Sequence, residues 1–222
     1  MFTAGVDEAG RGPALGPMVL ATVLASKEQE EKLWEMKVRD SKLLKREERE
    51  RLEGKIKNAV EDFAVAVVLP EELDCLMDRK SLNEIEAMKV GAMLNSLKKK
   101  PAVLIVDSPD LIEGNFAKRI KKYFGGDVVI RAEHFADRNH TVVSAASIIA
   151  KVARDREIEK LKREFGDIGS GYSHDPKTIE FIESYVSVHS RLPPCARKNW
   201  QTNMNALDKK FQKKLGECDG FF

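Results

Sequence analysis

The chain has 222 residues, 42% hydrophobic and 33% charged, which fits one globular domain with room for a small appendage. A formal net charge of +2 gives no overall argument for a nucleic-acid partner, so only local basic clusters can supply one. Such clusters stand at 98–100, 118–122, 160–163 and 209–214, and each alone reads as a solvated helix face or end. Cys75, Cys195 and Cys218 lie far apart with no CxxC pair, which argues against a zinc site and a disulfide framework. No apolar run approaches the ~18–20 residues of a membrane span. The opening residues lack the basic and long apolar regions of a signal peptide, so the expectation is a cytoplasmic protein with no membrane partner.

Residues 2–8 are apolar enough for a buried strand. It ends on two adjacent acids followed at once by a glycine-rich run, Gly5-Val6-Asp7-Glu8-Ala9-Gly10-Arg11-Gly12-Pro13. Adjacent buried acids repel each other and cost desolvation, unless a cation lies between them. Glycines beside them let a backbone approach a ligand and offer N–H groups to anionic or hydroxyl oxygens. Successive strand residues face opposite ways, so a strand end, bulge or turn is expected at Asp7-Glu8 if both acids are to reach one site.

Further strands are expected at 17–25, 63–69, 102–107 and 127–131; the run 17–25 is mostly apolar, like a strand covered on both faces. Helices are expected at 45–60, from Ser81 as N-cap with Glu84 three residues on, at 115–123, 140–165, 177–188 and 204–215. Strands without an intervening helix at the start, then strands alternating with helices, predict a mixed sheet flanked by helices. The residues from about 170 onward read as a helical appendage.

Asp107 ends the most sharply bounded strand, where ligands of α/β sheets gather. Asp137 precedes the long helix. Asp7, Glu8, Asp107 and Asp137 can therefore be placed at neighbouring strand ends and a helix start. Oxygen-only ligands suit Mg²⁺ or Mn²⁺, and the chemistry that uses such a cluster is two-metal phosphoryl transfer. Small residues at 144–147 let the long helix pack closely on a sheet. Lys151 and Arg154, one turn further on, can face a phosphate backbone.

In order and spacing, several motifs together resemble type 2 ribonuclease H of the single-chain archaeal kind. They are Asp7-Glu8-Ala9-Gly10-Arg11-Gly12-Pro13, Asp40-Ser41-Lys42, Val106-Asp107-Ser108, Ala136-Asp137 with Val143 to Val152, Arg154-Asp155, Gly169-Ser170-Gly171-Tyr172 with Asp175-Pro176, and Trp200-Gln201-Thr202. They cover about residues 2–205.

The resemblance implies an RNase H-like α/β fold: a five-stranded mixed sheet with helices on both sides and a C-terminal helical extension. That would divide the chain into a catalytic domain at 1–170, an extension at 171–215 and a tail at 216–222. It implies hydrolysis of RNA in RNA/DNA hybrids, including a lone ribonucleotide in duplex DNA. The cut is expected 5′ to the ribonucleotide, leaving 3′-hydroxyl and 5′-phosphate ends, as in ribonucleotide excision and RNA primer removal. Asp7, Glu8, Asp107 and Asp137 match the ligands of two Mg²⁺ or Mn²⁺ ions. Gly10, Arg11 and Gly12 match a loop that contacts the ribose 2′-hydroxyl. Lys42 matches a lysine near the scissile phosphate, and Tyr172 a tyrosine that packs on the 3′ deoxyribose. Ser173-His174 follow Tyr172 where the family pattern has proline. A monomer is expected.

Phe221-Phe222 resemble the aromatic end of a sliding-clamp binding box, with Cys218 at the aliphatic position and Leu215 where glutamine is usual. Two other readings compete: a similar-fold nuclease acting on DNA junctions, and a non-catalytic hybrid-binding module recruited by the clamp. Acids at all four positions argue against the second. A nucleotide-binding enzyme is disfavoured because no Gly-Lys-Ser/Thr phosphate loop is present.

Overall fold

In a computed structural model the described residues are 1–38 and 45–218, with side chains described to residue 211. The chain forms two compact units. The first comprises 1–9, 19–67 and 79–154, the second 10–18, 68–78 and 155–222.

The first unit is built on a mixed five-stranded sheet in the order β3-β2-β1-β4-β5. Strands β1 (Phe2–Ala9) and β2 (Met18–Ser26) pair antiparallel from Phe2↔Ser26 to Ala9↔Val19. Strand β4 (Val103–Asp107) runs parallel to β1, Thr3 opposite Val103 and Val6 opposite Val106. Strand β5 (Val129–Glu133) runs parallel to β4 and sets Glu133 opposite Asp107. Strand β3 (Asp62–Val68) forms the other edge. Every β2 residue from Met18 to Ala25 is buried, as its apolar run predicts for a strand covered on both faces.

Helices α1 (Lys27–Glu35) and α2 (Arg46–Ala59) lie between β2 and β3 in the chain. Helix α1 was absent from the expected elements. Its start is nevertheless written locally, because Ser26 and Gln29 form a reciprocal capping box. Helix α3 (Pro70–Met77), also unexpected, begins with proline at its first position, where a missing N–H costs nothing. Helix α4 (Leu82–Ser96) starts on the expected Ser81 cap, and α5 (Glu113–Lys121) leads to β5. The short α6 (Ala136–Asn139) and the long α7 (Thr141–Phe165) follow.

The core of the first unit joins Ala21, Val23 and Ala25 of β2 to Val142, Val143, Ala145, Ala146, Ile148 and Ile149 of α7. The small residues have a geometric purpose. A Cβ on Gly5 of β1 would stand 2.4 Å from the backbone carbon of Val142, so helix and strand touch almost backbone to backbone.

The second unit packs Ala14 and Leu15 against Ile168, Ile182, Val186, Cys195 and Ala196, with Leu15 bridged to Ala196. Helix α8 (Pro176–His189) carries Ile182 and Val186, and α9 (Gln201–Cys218) adds Ala206. No helix among the described residues is long and apolar enough to cross a membrane.

Candidate active site

The four acids are held by elements of the first unit. Parallel pairing of β1 and β4 is in register up to Val6↔Val106, so Asp7 and Asp107 are the next residues on two neighbouring strands at their carboxyl ends. Strand β1 stays regular through both of its acids, pairing Asp7 with Ala21, Glu8 with Leu20 and Ala9 with Val19. Of the strand end, bulge or turn expected there, the structure has the strand end: β1 stops at Ala9, one residue past the acids. The strand continues to Ala9 along β2, whereas its pairing with β4 ends at Val6, before the acids. Asp7 closes a buried run from Ala4, and Glu8 is half-buried.

Asp7 is 7% exposed. Burial pushes its carboxyl well above the usual carboxylate range, and the neighbouring Glu8 charge pushes the same way. Hydrogen bonds from the Ser147 hydroxyl and, at 2.8 Å, from the Glu8 amide oppose that rise, while Asp107 adds to it. Ser147 sits on α7, so the long helix both covers the sheet and reaches one carboxylate.

Asp107 is braced differently. Its Oδ1 accepts a 2.8 Å hydrogen bond from the Ala136 amide, the first residue of α6. That bond ties the Asp107 side chain to the turn that carries Asp137, which is 8% exposed. Phe135, just before this turn, adopts a left-handed backbone at φ 57°.

Among the described residues, no group of three or more His, Cys, Asp and Glu side chains forms a ready metal centre. What the structure brings together is pairwise: Asp7 with Glu8, Asp7 with Asp107, and Asp107 with the turn of Asp137. The donor chemistry fits a hard divalent cation, because all four candidates offer carboxylate oxygen and the most buried one is destabilised by two like charges. Lys151 lies on α7, half-buried and one turn beyond Ser147.

The glycine loop and Tyr172 belong to the second unit, where they are brought together. The amides of Ala14 and Leu15 both donate to the carbonyl of Gly171, the residue before Tyr172, at 2.8 and 3.1 Å. The fully buried Arg197 organises the loop: its guanidinium donates to the carbonyls of Gly10 (2.6 Å), Arg11 (2.9 Å) and Gly16 (2.9 Å). The Trp200 indole donates to the Gly12 carbonyl at 3.0 Å, and Arg197 lies 4.8 Å from the Trp200 ring centre. Gly10 needs its lack of a side chain for a backbone at φ 79°. Gly12 does not: nothing lies within 4 Å of a Cβ built there.

Tyr172 is half-buried, its ring 5.4 Å from that of His174. Its loop is fixed by Asp175, which accepts from the Ser170 amide at 2.7 Å, and by Thr178, which accepts from the Gly171 amide at 2.9 Å. Lys42, Phe221 and Phe222 lie outside the described residues. The basic clusters are partly spent on structure: Lys99 pairs with Glu61, Lys100 donates to the carbonyls of Leu94 and Asn95, and Lys160 and Lys209 pair with Glu157 and Glu183.

Sequence reasoning assigned no role to Arg197, Trp200 or Ser147. Trp200 and Ser147 lay inside motifs it quoted, but Arg197 carried no local signal.

Comparison with known proteins decides the family. A family model described as Ribonuclease HII matches residues 4–203. The chain belongs to the ribonuclease HII family. Ribonuclease HII of Pyrococcus furiosus is 46% identical over 224 residues, spanning 100% of this chain and 99% of that protein. The crystal structure of ribonuclease H2 from Pyrococcus horikoshii OT3 superposes with a TM-score of 0.91 at 43% identity, covering 96% of this chain and 100% of that one. Ribonuclease HII in a complex with PCNA from Archaeoglobus fulgidus gives a TM-score of 0.83 at 41% identity, covering 90% and 96%. The RNase H-like α/β fold expected of the sequence is thus the fold observed, and the family hydrolyses RNA in RNA/DNA hybrids and depends on divalent metal.

Proposed function

We propose that this ribonuclease HII cuts RNA/DNA hybrids, and duplex DNA carrying a single ribonucleotide, on the 5′ side of the ribonucleotide. The observation that carries the proposal is the in-register placement of Asp7 beside Asp107 at the carboxyl ends of two parallel strands. Asp7, Glu8, Asp107 and Asp137 are the residues that would hold two Mg²⁺ or Mn²⁺ ions. When bound, the ions supply an activated water and neutralise charge at the leaving oxygen.

The protein's own part is positioning. The Ser147 hydroxyl orients Asp7, and the Ala136 amide fixes the rotamer of Asp107. In the hydrolysis the water oxygen forms a bond to phosphorus and the bond from phosphorus to the 3′ oxygen breaks. A proton ends on that oxygen, leaving 3′-hydroxyl and 5′-phosphate ends.

Recognition falls to the second unit. With the carbonyls of Gly10, Arg11 and Gly12 held by Arg197 and Trp200, the loop is a rigid backbone edge that can meet a 2′-hydroxyl, the local difference between RNA and DNA. Open space at Gly12 supports close approach of a ligand there. Tyr172 presents an aromatic face for the 3′ deoxyribose, where an added hydroxyl would clash. Lys42 and Lys151 would contact backbone phosphates. The relative seen with PCNA supports a further reading, that Phe221 and Phe222 bind a sliding clamp.

The test is a duplex with one ribonucleotide, incubated in Mg²⁺ and then in Mn²⁺, with the cut mapped to the nucleotide. One incision 5′ to the ribonucleotide is expected. Cleavage of an all-DNA duplex with indifference to the ribonucleotide would replace this reading with a DNA-junction nuclease.

A further inference from the structure

Phe135 has an exposed aromatic ring on a backbone conformation that a bulky residue seldom adopts. Its φ is 57° and it is 60% exposed. Side chains other than glycine, asparagine and aspartate are strained there, and such strain persists only where the surroundings over-determine it. Here they do. The Ala136 amide is bonded to Asp107 at 2.8 Å, the Arg138 amide to the Phe135 carbonyl at 3.0 Å, and the His134 amide to Glu113 at 2.7 Å.

The ring takes little from the fold in return. Its recorded partner is the Arg138 guanidinium, 4.8 Å from the ring centre, and Arg138 is exposed as well. A surface cation–π pair is worth less than a left-handed backbone costs. The strain therefore has no visible return in stability, and its place is informative: the distorted residue lies two positions from Asp137, on a turn bonded directly to Asp107.

An exposed aromatic ring with a guanidinium against it suits a nucleic-acid backbone. The ring offers an apolar face for a sugar, and the guanidinium a charge for the next phosphate. A hybrid duplex presents its sugars along a wide, shallow minor groove, which a ring projecting from a turn can reach without unstacking a base.

We propose that Phe135 and Arg138 form an additional substrate-contact site beside the catalytic acids, with the Phe135 ring packed on a sugar of the hybrid and Arg138 on the adjoining phosphate. This rests on the nuclease reading and adds to it a substrate contact that no motif in the sequence marked.

Phe135→Asn tests it, because asparagine accepts the left-handed backbone but lacks the ring. The melting temperature of the metal-free variant is expected to hold or to rise by about 2 °C. KM for a hybrid with one ribonucleotide should rise about tenfold, the loss of one aromatic contact, while kcat stays within about twofold. Phe135→Trp should bind the hybrid with wild-type affinity, its indole fluorescence changing on binding. Arg138→Gln should lower the slope of log Kd against log salt by about one, as the loss of one phosphate contact requires.

An unchanged KM in Phe135→Asn would overturn the proposal, as would a fall of several degrees in melting temperature, which would make the ring a packing group. A wild-type protein that cuts the hybrid beside an unaffected Phe135→Asn removes this contact alone. A wild-type protein that cuts no hybrid removes the nuclease reading with it.

Discussion

Asp7 carries the sharpest conflict between stability and function in the protein. Its carboxyl is buried next to Glu8 and Asp107, and burial followed by the Glu8 charge raises its pKa well above the usual range. A carboxyl raised in the folded state stabilises the fold below the unfolded carboxylate pKa, and that contribution disappears as pH rises through the folded value. In metal-free protein, stability is therefore expected to fall as pH climbs from the ordinary carboxylate range towards neutrality. Asp7→Asn should flatten that fall and melt higher than wild type at pH 7 in chelator, while losing activity; thermal melts across pH check the sign. Asp107→Asn keeps an oxygen for the Ala136 amide, so the turn should survive. The hydrolysis rate is nevertheless expected to drop at least about 10²-fold, through loss of a carboxylate that would hold the ions. Activity near wild type would remove Asp107 from the ligand set.

At the scale of elements, the contact of β1 with α7 sets where Asp7 meets Ser147. Gly5 makes the contact possible, since any Cβ would stand 2.4–2.5 Å from the Val142–Val143 backbone. Gly5→Ala is expected to cost about 2 kcal/mol or more in denaturant unfolding, the range of overpacked cores. Gly12 is the useful contrast. A methyl group there meets nothing within 4 Å, so Gly12→Ala should fold normally. If the loop approaches a ribose as proposed, the same change should raise KM for a ribonucleotide-bearing duplex severalfold. Two glycines seven residues apart would then separate cleanly, one in unfolding curves and the other in kinetics.

The legibility of the elements varied in the same way. Asp107 was readable because a β-branched run ends on it, and Asp7 because a glycine loop follows it. Helices α1 and α3 were not assigned although Ser26 with Gln29, and Pro70, mark their starts. Each is short, at nine and eight residues, so its apolar period has too few turns to repeat. That β1 runs on to Ala9, one residue beyond the strand expected at 2–8, depends on its pairing with β2.

For the whole molecule, ligand linkage gives the broadest test. A cation that binds only the folded acids stabilises by mass action. Saturating Mn²⁺ is expected to raise the melting temperature of wild type and to do so far less for Asp107→Asn. Equal shifts in both would place the ion elsewhere. Deleting residues 220–222 should leave cleavage of a ribonucleotide-bearing duplex intact and abolish binding to a sliding clamp in a pull-down. Retained clamp binding would refute that role for Phe221 and Phe222.

Local order along the chain was enough to read most strands and the family, and to single out the acids and the glycine loop as candidates, because period, capping and motif spacing are short-range properties. The partners of those residues were settled only by tertiary structure. Asp7 finds Asp107 through the parallel register of two strands about a hundred residues apart. The Gly10 carbonyl finds Arg197 across 187 residues, and no spacing rule reaches that far. Hydrogen bonds and charge repulsion act over a few ångströms, so they depend on which atoms the packed fold makes neighbours, and a linear chain does not state that.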